Sequence, residues 1–178
     1  MLVTLAARGT QILFSLVVLI LSIVLITGYG PGHNPPLINY GAFCAAGGLL
    51  FAVIGVGALF FDAIKGVVIL ALDSIASFFL LAGGLAFAIE VKVGNCGDVS
   101  DFGYIDKHVN VFAPSVFKYA KDANDQSKLV QEFDADCTNR CRMIQAEAAF
   151  IWFMFGCFLV TLALSFTNKT TKRGGAIV

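Results

Sequence analysis

Four apolar segments, at residues 10–29, 40–61, 66–89 and 146–166, leave this chain few ways to fold. Each is about the 20 residues that an α-helix needs to cross a hydrocarbon core of roughly 30 Å. Together they take about half the chain, and only the stretch between the third and fourth is long enough for anything else. Hydrophobic residues make up 58% and charged residues 13%, too few charges to cover a soluble chain of this size. The expected fold is an all-α membrane protein, a four-transmembrane-helix bundle with an outer loop between helices 3 and 4.

Several function classes drop out on composition and spacing. The formal net charge is zero, so no basic field suits nucleic acid. No Cys/His zinc spacing, phosphate-binding glycine loop or nucleophile elbow occurs, so no catalytic centre, metal or cofactor is expected.

The remaining charges are sorted by side. Arg8, Lys65, Lys169, Lys172 and Arg173 flank the spans on one side, against Asp62 alone. The other side has the link 30–39, without Lys or Arg, and the loop 90–147, with seven basic and ten acidic residues. Short basic flanks stay in the cytosol, while loops this long cross with little regard to charge. Both termini are therefore expected in the cytosol and both links outside. The first span reads as a retained signal-anchor helix, because no small-x-small cleavage site follows it before Tyr29. The sequon at Asn168 falls on the cytosolic side and should be silent. The three basic residues of the tail, 168–178, are explained by the same flank rule, and each would also attract anionic lipid by about 1 kcal/mol.

Five cysteines divide in the same way. Cys44 and Cys157 lie within spans and read as small packing residues, whereas Cys96, Cys137 and Cys141 lie in the loop. A Cys96–Cys141 bridge would join the ends of spans three and four and close about 45 residues, worth up to about 4 kcal/mol of chain entropy. Cys96–Cys137 is the alternative. Residues 114–135 read as a separate loop helix opened by Pro114. Aromatics at Phe102, Tyr104, Phe112, Phe117, Tyr119 and Phe133 suit a cap over the helix ends, or a face for a partner protein.

Inside the membrane, span two carries two small-residue series, Gly41 with Ala45 and Cys44 with Gly48 and Ala52; span three repeats the device at Ala82 and Ala86. Spacing by four places such residues on one face, where helices approach closely. An internal seam and a homo-oligomer seam look alike in sequence. Asp73 stands about 10 Å into span three, where a charge must face the bundle interior and find donors. Ser15, Thr161 and Ser77 are at suitable depth for a polar clasp, and the spans are read as holding no other ionisable group. The alternative use of Asp73 is as the site of a small proton- or cation-coupled transporter subunit.

Particular stretches also resemble a known family. They are Leu70-Ala71-Leu72-Asp73, Phe78-Phe79 and Ala82-Gly83-Gly84 in span three, then Asn95-Cys96 beyond it, then Arg140-Cys141-Arg142, Gln145-Ala146 and Ala148-Ala149-Phe150 leading into span four. With four spans and a large second outer loop, the chain resembles the MARVEL architecture, and more closely the fungal non-classical export protein family. That resemblance implies one tetraspan domain over residues 1–178, in the plasma membrane. It implies a non-enzymatic organiser or accessory protein of eisosome-type microdomains. The partners implied are membrane lipids, sphingolipid or sterol among them, and other integral membrane proteins. It also implies pairing of Cys96 with Cys141. Cys137 and the stretch 107–136 depart from the family pattern. An outer-face adhesion or receptor module resting on the aromatic loop is a third reading.

Overall fold

The computed structural model describes residues 2–30, 34–60, 66–98, 100, 103–114 and 126–174. They form helices and connecting turns, with no strand among the described residues. Four helices are long and apolar enough to cross a membrane: α1 (Leu2–Tyr29), α2 (Pro36–Phe60), α3 (Val67–Glu90) and α6 (Gln126–Gly174). Two single-turn helices, α4 (Tyr104–Lys107) and α5 (Val109–Phe112), sit between α3 and α6.

Two boundaries differ from expectation. α1 begins at Leu2, so Arg8 lies inside the helix and not in front of it. α6 runs unbroken for 49 residues, about 73 Å. Residues 126–135, expected to close a separate loop helix, are its first turns. No proline or glycine interrupts the stretch from Gln126 to Phe155, so nothing stops the helix before the membrane. Residues 115–125 of that expected helix lie outside the described residues, as do Asp62, Lys65, Phe102, Phe117, Tyr119 and 175–178 of the tail.

α1 packs on α2 and α6, and α3 packs on α6 and α2, which puts α1 and α3 on a diagonal of the bundle. The buried positions fix this geometry. In α1 they are Arg8, Gln11, Ser15, Val18, Ser22, Leu25 and Tyr29; in α6 they include Cys137, Arg140, Ile144, Glu147, Ile151, Met154, Phe158 and Thr161. Both series alternate steps of three and four, the spacing of left-handed helix packing at about 20°. The outer faces are apolar, with Leu13, Ile20, Leu50, Val53, Phe78 and Val160 exposed. The polarity is the reverse of a soluble bundle.

The outer cap folds back on the helix ends. The Tyr104 hydroxyl donates to the Val91 and Lys92 carbonyls at 2.7 and 2.8 Å, and the Tyr29 hydroxyl donates to the Val111 carbonyl. Phe112 is fully buried against Tyr104, with ring centroids 5.6 Å apart. Cys96 and Cys141 form a disulfide, with Cα atoms 5.7 Å apart, while Cys137 is a buried free thiol.

Candidate functional site: a polar column inside the bundle

The first turns of α1 and α3 place Arg8 and Asp73 at the same level, each about two turns from its helix start. Arg8 Nη1 donates to Asp73 Oδ1 at 2.6 Å and Nη2 to Oδ2 at 2.7 Å, and both side chains are almost fully buried. A forked, charge-assisted pair of this kind is the strongest local partner that a carboxylate can find. It spans the diagonal between α1 and α3. Gly55 of α2 makes room for it, since a Cβ there would come within 2.5 Å of the Arg8 guanidinium.

The network continues toward α6. Arg8 Nη1 also donates to Gln11 Oε1 at 3.0 Å, and Gln11 Nε2 donates to Thr161 Oγ1 at 3.0 Å and to the Cys157 carbonyl at 3.2 Å. All four membrane helices meet in this layer. One further layer lies nearer the cap. Glu147 of α6 is fully buried and its Oε1 accepts from the Ser22 hydroxyl at 2.5 Å, with Gly41 of α2 against the carboxylate. Above it, Arg140 Nη2 donates to the Gly28 carbonyl at 2.6 Å, and the guanidinium lies over the Tyr29 ring at 4.4 Å. Asp136, one turn along α6, pairs with Arg140 at 3.3 Å.

The expected clasp is thus replaced in part. Asp73 is held by Arg8, which sequence reasoning placed outside the membrane, and the expectation that no other ionisable group lies in the spans is overturned by Arg8 and Glu147. Thr161 joins the layer only through Gln11. The Ser77 hydroxyl donates to the Asp73 backbone carbonyl at 2.7 Å, not to its carboxylate. Ser15 is buried two turns further along α1, and its hydroxyl has no partner among the described residues. A full positive charge on a long side chain outcompetes these hydroxyls for the carboxylate. The missed signal was the 3–4 recurrence of Arg8, Gln11, Ser15 and Ser22 along an otherwise apolar helix.

The small residues act differently from a simple seam. Gly41, Cys44, Ala45, Gly48 and Ala52 are buried as a stripe on α2. Gly41, Gly48 and Gly55, seven apart, each face a bulky or polar group: Glu147, then Met154 with Ser15, then Arg8. On α3, Ala82 and Ala86 are only half-buried, and Gly83 and Gly84 are the close-packed pair, against Cys44 with Tyr40 and against Trp152. Among the described residues no three His, Cys, Asp or Glu side chains converge as a metal site.

A column of buried polar groups, with Arg8 and Asp73 paired across the bundle and the apolar surface turned outward, suits a body embedded in lipid. Comparison with known families agrees with that geometry. The model of the MARVEL membrane-associating domain matches residues 2–164. No curated protein and no solved structure matches the chain.

Proposed function

We propose, for a chain that belongs to the MARVEL family of membrane-associating domains, a non-enzymatic role in organising the plasma membrane. In this reading it packs laterally against lipids and other integral membrane proteins, as its own domain or as a homo-oligomer. The observation that carries the reading is the polarity of the bundle. Arg8 and Asp73 are locked to each other inside, and its outward faces are rich in large apolar side chains. In a bilayer such faces meet acyl chains or other helices.

The finer reading follows the resemblance to the fungal non-classical export protein family: one tetraspan domain in eisosome-type microdomains, among sphingolipid or sterol. Both termini lie in the cytosol in this proposal, and the Cys96–Cys141 bridge lies outside, where an oxidising compartment supports it. An acceptor sequon engineered between α3 and α4 is then glycosylated, and Asn168 is not.

Imaging of the tagged protein in its own membrane tests the organiser role. Lateral clusters, together with altered membrane domains when the protein is deleted, support it. Uniform diffusion with unaltered domains overturns it. The transporter reading loses its free acid, because both Asp73 oxygens accept from Arg8. Ion or substrate flux in liposomes that depends on Asp73 would restore it.

A further inference from the structure

A cleft of about 600 Å³ opens at the cap end of the bundle, between the start of α2 and the end of α3. This is within the roughly 300–1,000 Å³ of small-molecule sites. Asn34, Pro36, Tyr40, Ala86, Glu90 and Asn110 are among its lining residues, with Val111 of α5. The lining combines the apolar Leu37, Ala86 and Val111 with the polar Asn34, Glu90 and Asn110. Glu90 is the one charged group among the described lining residues, which include no Lys or Arg.

Below the cleft the groove between α2 and α3 carries an aromatic ladder. The Tyr40 ring stacks on Phe43 at 5.9 Å, Phe43 meets Phe79 edge-on at 5.5 Å, and Phe79 meets Phe78 at 5.8 Å. Phe43 and Phe78 are more than half exposed on the face turned to lipid. A cleft with polar groups in its lining beside an exposed apolar track has the division of a lipid, a head group next to its chains.

We infer that this cleft holds the head group of a zwitterionic phospholipid, with the acyl chain along the Tyr40–Phe43–Phe79 ladder. The ammonium sits at Glu90, at the C-terminal end of α3. The phosphate accepts from the Asn34 and Asn110 side-chain amides at the α2 end. The dipoles of the two antiparallel helices reinforce this direction, positive at the α2 start and negative at the α3 end. An anionic lipid would meet the Glu90 carboxylate without an ammonium to offset it. The site deepens the lateral lipid contact proposed above and rests on it.

Native mass spectrometry of the full chain, released from detergent with one added lipid class at a time, tests this site. The classes are phosphatidylcholine, phosphatidylethanolamine and phosphatidylglycerol. The expected result is one retained phosphatidylcholine or phosphatidylethanolamine, about fivefold tighter than phosphatidylglycerol, the size of a partly exposed ion pair. Which zwitterion is held more tightly identifies the ammonium. Glu90→Gln abolishes the head-group preference, and Ala86→Leu, filling part of the cleft, removes the retained lipid. Circular dichroism and an intact Cys96–Cys141 bridge report folding of both variants. Equal retention of all three classes by the wild-type chain overturns the head-group site while leaving lateral lipid packing in place. Retention in both variants unchanged from wild type overturns the cleft.

Discussion

Arg8 and Asp73 are 65 residues apart and belong to helices on a diagonal of the bundle, yet their side chains meet through two bonds of 2.6 and 2.7 Å. The pair fixes α1 against α3 directly, and among the described residues each is the other's ion-pair partner.

Removing one partner should be far worse than removing both. Asp73→Asn or Arg8→Gln alone leaves a buried, unsatisfied partner and is expected to cost about 3–5 kcal/mol. The double variant Arg8→Met with Asp73→Leu should recover most of that loss. Thermal unfolding in detergent, arranged as a double-mutant cycle, measures the coupling. Additive losses would show that the pair contributes nothing.

The glycines of α2 should split by face. Gly55→Ala places a methyl 2.5 Å from the Arg8 guanidinium, and Gly41→Ala places one against Glu147; each is expected to destabilise by about 1–3 kcal/mol. Gly47→Ala and Gly57→Ala meet nothing within 4 Å and should be neutral or stabilising by up to about 1 kcal/mol from helix propensity. The same unfolding assay ranks all four.

Cysteine chemistry gives a direct test of the outer tie. Alkylation of the denatured, unreduced chain should label Cys44, Cys137 and Cys157 but neither Cys96 nor Cys141. Cys137→Ser should leave the bridge intact. Cys141→Ser should abolish it, with a loss of up to about 4 kcal/mol. Peptide mapping that finds Cys96 joined to Cys137 would refute the assignment.

At the end of α3, Lys92 has φ of 53°, a left-handed conformation that glycine adopts without strain. Lys92→Gly should therefore leave stability unchanged or raise it by about 1 kcal/mol, and Lys92→Val should lower it. A loss on Lys92→Gly would mean that the side chain itself is needed there.

The turn before α4 should be sensitive to acid. The Ser100 hydroxyl donates to Asp98 at 2.6 Å and, with the Tyr104 amide, holds the Asp98 carboxyl below the usual carboxylate range. Because the folded form binds its proton less readily than the unfolded form, the ordering it provides is present at neutral pH. It is lost as pH falls through the depressed value. Hydrogen exchange at residues 103–105 should quicken in acid, and Asp98→Asn should remove that dependence.

The spans were legible because length and apolarity alone identify them, and so was the bridge, because Cys96 and Cys141 flank the third and fourth apolar segments on the same side, although Cys141 lies inside the continuous α6. What was hidden is explained by chemistry that looks alike in sequence. Arg8 reads as a flanking charge until α1 is known to begin at Leu2, and Glu147 reads as the last residue of a loop until α6 is known to be continuous. Gly83 and Gly84 lie next to the expected Ala82 and Ala86, and only the rotation of α3 about its axis decides which pair faces inward. The small series on α2 was found, but its seven-residue subset was not, since its reason is the size of groups on other helices.

The buried guanidinium also sets an order of assembly. When α1 leaves the ribosome its Arg8 enters the bilayer at a cost of up to about 3 kcal/mol, and Asp73, the acid that meets it among the described residues, is encoded 65 residues later. Biogenesis therefore passes through an interval in which Arg8 sits in a strongly apolar first helix without its carboxylate. That interval closes when α3 arrives and Asp73 supplies both acceptors.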